Sequence, residues 1–243
     1  MTEPVTAPAT PKRVLVIQAH PDDAEFTCGG TVAKWAKEGA EVHYCSITSG
    51  DKGSSDAEMT PERLVALRER EQQAAADLLG VKSVVFLGYK DATLVADLDL
   101  RRNLTRVMRQ LRPDAILTFD PTMRYVRQEY INHPDHVAAG EASLAAVFPS
   151  VRDRMTFPEL LDEGLEPHKV GEVYLYSSPT PDVWIDITAT METKIAALRA
   201  HASQVDVEKV DGWMREWGRG TAAANANGAT GEFAEAFKYI KLD

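Results

Sequence analysis

Short apolar runs rich in β-branched residues alternate along this chain with longer amphipathic segments, and no other feature constrains its fold as strongly. Such alternation is the mark of βαβ units, in which parallel strands are covered by the helices that cross between them. Residues 13–19, 41–48, 83–88 and 115–119 read as strands, with helical patterns at 30–38, 61–79 and 98–111 between them. The second helix opens with Thr60 as its cap and Pro61 at its first position, while Gly39, Gly80 and Pro113 punctuate the returns to strand. A further helix runs from His133-Pro134-Asp135 to about residue 147, and an irregular stretch from 149 to 171 leads into strands at 172–177 and 183–188. The expected fold is an α/β three-layer sandwich around a mostly parallel sheet of about six strands.

With 243 residues, 44% of them hydrophobic and 26% charged, the chain suits one domain with a full core. That domain is expected over residues 13–243, preceded by a disordered tail over 1–12 that is rich in Thr, Pro and Ala. Residues 221–231 read as a loop. A net charge of -10 sets the long-range field against nucleic acid and anionic membranes, which points to a small-molecule partner. Cys28 and Cys45 are too few for a disulfide framework and fit a reducing compartment. No apolar stretch approaches the roughly 20 residues of a membrane span, and the N-terminus lacks the apolar core of a signal peptide. A cytoplasmic protein is expected, with a homo-oligomer allowed.

Two knots of chemistry stand out. His20-Pro21-Asp22-Asp23 follows the first strand, and Asn132-His133-Pro134-Asp135-His136 follows the fourth after a loop. In a doubly wound sheet the first and fourth strands are neighbours where the chain reverses, and ligands bind in that crevice. Imidazole and carboxylate groups suit zinc and related divalent ions, and a catalytic site needs three protein ligands and one open position. Taken alone, Asp22-Asp23 or His133-Pro134-Asp135 could simply begin a helix. Found together at one crevice, they point to a metal site. His43, His168 and His201 read as structural or solvated.

Ala19-His20-Pro21-Asp22-Asp23 followed by Gly29-Gly30, with His133-Pro134-Asp135-His136 downstream, resembles the PIG-L/LmbE-like zinc deacetylase family. The resemblance extends to Arg68-Glu69-Arg70-Glu71, Leu87-Gly88-Tyr89-Lys90-Asp91 and the stretch 232–237. It implies a Rossmann-like sheet and removal of N-acetyl groups from N-acetylglucosamine conjugates. By that resemblance His20, Asp23 and His136 would bind zinc, with iron or cobalt as other candidates. Asp22 would be the general base, His133 would sit beside the substrate carbonyl with Asp135 orienting it, and Arg68 and Asp91 would contact the sugar.

The chemistry is coherent in itself. A bound divalent ion activates water and polarises the amide carbonyl, while Asp22 can move the proton and a protonated His133, favoured by Asp135, can stabilise the oxyanion. The loop 120–132 offers Arg124, Tyr125, Arg127 and Tyr130 as a wall, the two arginines suiting an anionic aglycone. Trp213 and Trp217 fit a helix packed on the sheet, or else a lid over the site. Two other functions are weighed: an amidase of the same family that cuts a larger thiol-conjugate or peptide-like amide, and a non-catalytic sugar-binding protein. A pure binder has no use for a base beside an open metal position.

Overall fold

The computed structural model describes residues 8–126, 128–225 and 231–243. Arg127 of the expected binding wall and residues 226–230 of the expected loop lie outside them. In chain order the elements are β1 (Arg13–Gln18), α1 (Asp23–Lys37), β2 (Glu41–Thr48), α2 (Pro61–Leu79), β3 (Ser83–Tyr89), α3 (Leu98–Leu111) and β4 (Ala115–Phe119). There follow a small hairpin of β5 (Tyr125–Val126) and β6 (Tyr130–Ile131), then α4 (Pro134–Ala145), α5 (Glu159–Asp162), β7 (Glu172–Tyr176) and β8 (Val183–Asp186). The chain closes with α6 (Met191–Ala200), α7 (Val210–Ala223) and β9 (Ala234–Lys241).

The main sheet has seven strands in the order β3-β2-β1-β4-β7-β9-β8. Strand β1 pairs in parallel with β2 on one side, Val14 beside Val42, and with β4 on the other, Val14 beside Ala115. It is shut off from water on both faces, and its Val14-Leu15-Val16-Ile17 run is the continuous apolar pattern that such a position demands. Helices α1, α2 and α6 pack together on the sheet, and α3 packs with α4. The three-layer α/β class holds, and β1 and β4 are adjacent as expected.

Three elements depart from expectation. Helix α1 begins at Asp23 rather than near residue 30, because Asp22 takes a left-handed backbone (φ 88°) that ends the strand in one sharp turn. Gly30 then lies inside the helix, where a Cβ would come within 2.7 Å of the Ile187 side chain, so bare backbone is what lets α1 pack there. Residues 221–223 belong to α7 instead of a loop. Strand β9 is the element the pattern hides. It lies antiparallel between β7 and β8 and carries a buried charge, Glu235, whose oxygens accept the Gly30 and Thr31 N–H groups at 2.9 and 2.7 Å while Lys194 Nζ donates at 2.6 Å. A charge satisfied from another layer breaks the apolar rhythm without costing the strand its place.

Candidate metal centre and active site

Both knots are positioned by strand ends at the carboxyl edge of the sheet. After β1 the chain turns at Pro21-Asp22, and the turn is closed by one of its own acids: the His20 N–H donates to Asp23 Oδ2 at 2.7 Å. After β4 and the hairpin, His133 caps α4, its Nδ1 accepting the Asp135 N–H at 3.2 Å, with Pro134 at the first helical position. This cap geometry turns His136 inward by one helical step. His136 stacks on Phe119, the last residue of β4, with ring centroids 3.9 Å apart and planes 10° from parallel. The Asn132 side-chain oxygen faces its Nδ1 at 2.9 Å, which places the ring hydrogen there and leaves Nε2 free as a donor of electrons.

The three expected ligands come together. His136 Nε2 lies 3.1 Å from Asp23 Oδ1, and His20 Nδ1 lies 3.4 Å from Asp23 Oδ2. The other face of the His20 ring is held by carboxylates, with Nε2 3.1 Å from Asp91 Oδ1 and 3.3 Å from Asp135 Oδ2. An imidazole whose far nitrogen is clamped by carboxylate is the usual state of a metal-ligating histidine. Two sets of ring nitrogens and carboxylate oxygens lie within 4.8 Å of one another, His20-His133-His136 and His20-Asp91-Asp135. The second set is the clamp on His20, because Asp135 also accepts the Ala92 and Leu94 N–H groups at 2.7 and 3.1 Å.

Electrostatics shows what the cluster lacks. Burial works against a charged His20, yet the Asp135, Asp23 and Asp91 carboxylates outweigh it and push its pKa up to about 12. Burial would raise Asp23, but the His136 and His20 imidazoles hold it far below the ordinary carboxylate range. A pocket that drives a histidine to carry a proton in this way calls for positive charge, and an N/O donor set around that need fits a divalent cation. Asp22 behaves differently. Burial, then the neighbouring Asp23 charge, raise it to about 7 against the pull of Arg68.

Some expected roles are relocated. Asp135 does not aim its carboxylate at His133; its oxygens face His20 and the loop after β3, and His133 receives only its backbone N–H. Burial, then the charge of His20, lower the His133 pKa, and because Nδ1 accepts the Asp135 N–H, Nε2 is the ring nitrogen left to donate. Arg68 is 4% exposed, and its guanidinium donates to Pro21 O at 2.7 Å, to Gly50 O at 3.3 Å and to Asp22 Oδ2 at 3.3 Å. It braces the Asp22 turn. Gly50, at φ 66°, has no room for a Cβ beside that guanidinium. Asp91 is likewise buried, on His20. Arg124 faces away, paired with Glu141 at 3.0 Å on the surface.

A cavity of about 600 Å³ opens on Asp23 and His136 and runs along Phe26, Met123, Tyr130 and Trp217. Among the described residues of the expected wall, only Tyr130 borders it, while Tyr125 is 70% exposed. Trp213 and Trp217 are each 49% exposed, because α7 packs instead through Val210, Met214, Gly218 and Ala222. Reading the sequence missed Phe119, Asn132 and Gln72. Gln72 accepts the Asp22 N–H at 3.2 Å and donates to Glu25 at 3.0 Å, one residue past a stretch that had been noticed. Asn132 opens the second knot, and its i, i+4 spacing to His136 is the sequence signal for this contact. His201, read as structural or solvated, is fully buried 3.3 Å from Glu25.

Comparison with known proteins agrees with this geometry. Diacetylchitobiose deacetylase of Thermococcus kodakarensis is 33% identical over 202 residues, covering 83% of this chain and 73% of that one. The probable N-acetyl-alpha-D-glucosaminyl L-malate deacetylase 2 of Bacillus anthracis is 30% identical over 213 residues, covering 85% and 87%. Among solved structures, N,N'-diacetylchitobiose deacetylase from Pyrococcus horikoshii superposes with a TM-score of 0.85 at 32% identity, over 95% of this chain and 84% of that one. The family model PIG-L, GlcNAc-PI de-N-acetylase, matches residues 15–147, from the first strand through both knots, and the chain belongs to that family.

Proposed function

We propose that the protein is a divalent-metal-dependent hydrolase that removes the acetyl group from the 2-acetamido sugar of a small N-acetylglucosamine-type conjugate. The observation that carries the reading is the convergence of His20 and His136 on Asp23, which with His136 borders the cavity, and Asp22 one residue away is raised to about 7. His20 Nδ1, His136 Nε2 and an Asp23 oxygen would hold the ion, with zinc favoured by the donor set and iron or cobalt compatible with it. Once bound, the ion supplies an activated water and polarises the acetamide carbonyl.

This chain's own residues do the rest. Asp22, braced by Arg68 and by the Gln72 side chain on its backbone N–H, takes the proton at neutral pH and returns it to the leaving amine. His133, holding its hydrogen on Nε2, donates to the carbonyl oxygen as charge builds there. Asp91 and Asp135 keep His20 pointed at Asp23. Membership of a de-N-acetylase family and the names of its relatives support an acetamido sugar as substrate.

The test is release of primary amine and acetate from simple N-acetylglucosaminides. Equal yields of the two are expected, dependent on added metal and abolished by chelator, with His20→Ala and His136→Ala losing the ion by elemental analysis. No amine from any N-acetylhexosaminide by metal-loaded protein would overturn the reading.

A further inference from the structure

The reaction-end cavity does not stop at Trp217. A second chamber of about 350 Å³ lies beyond it, and the two share Phe26, Thr27, Ser177, Ser178 and Trp217 as a common wall. They form one trough, with Asp23 and His136 at one end and Trp184, Met191 and Met214 at the other. The second chamber by itself is within the range of roughly 300–1,000 Å³ found for small-molecule sites.

Its charge is balanced. Among the described residues, the ionisable side chains that line it are Lys194 and Glu235, which pair at 2.6 Å, and both are further occupied: Lys194 by Phe26 O at 2.8 Å, Glu235 by the Gly30 and Thr31 N–H groups. Most of the remaining wall is aromatic, thioether and small aliphatic surface, which adapts to an apolar guest, with Thr27, Ser177, Ser178 and Thr221 as its uncharged polar residues. Among the described residues, no arginine or lysine lines the reaction-end cavity either.

Two features mark the junction as built for a ligand. Trp217 keeps half its surface open although its helix packs tightly on either side, and Lys194 Nζ lies 5.8 Å from its ring centroid, against one face. Ser177, at the end of β7, is held at φ 54°, a conformation that costs a non-glycine residue energy and tends to occur at binding sites.

We propose that the chamber beyond Trp217 is the aglycone subsite, and that the substrate carries an uncharged, apolar-faced aglycone at least one ring long. The proposal rests on the deacetylase reading and deepens it, since the sugar must sit at the His136 end for its acetamide to react and the second chamber adjoins that end across their shared wall. It replaces the anionic aglycone expected from the loop arginines.

Three N-acetylglucosaminides test it with the metal-loaded protein: methyl, 2-phenylethyl and carboxymethyl. The 2-phenylethyl glycoside is expected to show kcat/KM about tenfold or more above the other two, the return on burying one ring. Thr221→Trp and Ala236→Phe, which narrow the second chamber from the helix and from the strand, are expected to bring that ratio back toward one. Equal values for methyl and 2-phenylethyl, or a preference for carboxymethyl, would overturn the proposal; so would a preference that neither variant changes. Tryptophan fluorescence adds an arm independent of turnover: the 2-phenylethyl glycoside should perturb emission at concentrations where the methyl glycoside does not. If no glycoside is deacetylated but this perturbation is seen, the reaction assignment fails and the subsite stands.

Discussion

A general base next to a metal ligand must stay off the ion and still be able to ionise, and the backbone of Asp22 meets both demands. At this left-handed turn the Asp22 carboxylate accepts from Arg68 at 3.3 Å, while the Asp23 carboxylate faces His20 and His136. Asp22→Asn is expected to keep the metal and lose about 10²-fold or more in kcat, the usual loss for a positioned proton carrier. Because its pKa is raised to about 7, the rate should fall as pH drops below that value, with the midpoint moved lower by the bound cation. A kcat/KM profile with no acid limb at any pH where the protein stays folded and metal-loaded would exclude Asp22 as the base. The Asn132 oxygen on His136 Nδ1 suggests a second test. Asn132→Ala should weaken metal affinity about 10- to 100-fold in competition with a chelator, as loss of such an outer partner typically does; unchanged affinity would mean that stacking on Phe119 suffices to orient the ring.

The elements differ in what holds them. Strands β1 and β4 need only their own apolar side chains, whereas the irregular stretch after α4 hangs on one side chain from α3. Arg109, 2% exposed, donates to Ser150 O at 2.9 Å, Asp153 O at 2.8 Å and Thr156 O at 3.3 Å. These carbonyls have no helix or strand to bond with, so the guanidinium stands in for secondary structure. Arg109→Ala should therefore lower unfolding free energy by about 2–4 kcal/mol, read from denaturant midpoints, because it leaves several buried acceptors without a donor. A loss below about 0.5 kcal/mol would show that water replaces the arginine. The same contrast explains which elements were legible. Residues 41–48, 61–79, 98–111 and 115–119 were read with the bounds they have, since periodicity and caps are local. Strand β9 and the early start of α1 were not, since both depend on contacts made across layers by Glu235 and on a positive φ at Asp22.

At the scale of the molecule, α6 carries His201 at its carboxyl end into the interior, 3.3 Å from Glu25 of α1, and joins the two helices there. Burial disfavours the charged ring, but Glu25, with Asp22 and Glu71 beyond, raises its pKa above the ordinary value. The unfolded chain titrates near 6.5, so the pair contributes stability in full below that pH and loses it as pH rises through the higher folded value. The stability gap between wild type and His201→Gln should then narrow from pH 6 to pH 9; a gap that widens would reverse the assigned sign. By itself the sequence determined the α/β class, the adjacency of β1 and β4, and the pairing of the two knots, because strand periodicity, helix caps and the donor chemistry of His and Asp are properties of neighbouring residues. Only the tertiary structure decided which groups face which. Asp135 went to His20, Arg68 to the Asp22 turn and Trp217 to the wall of a trough, because a side chain's partner is set by the burial and unmet hydrogen bonds of elements far away in the chain.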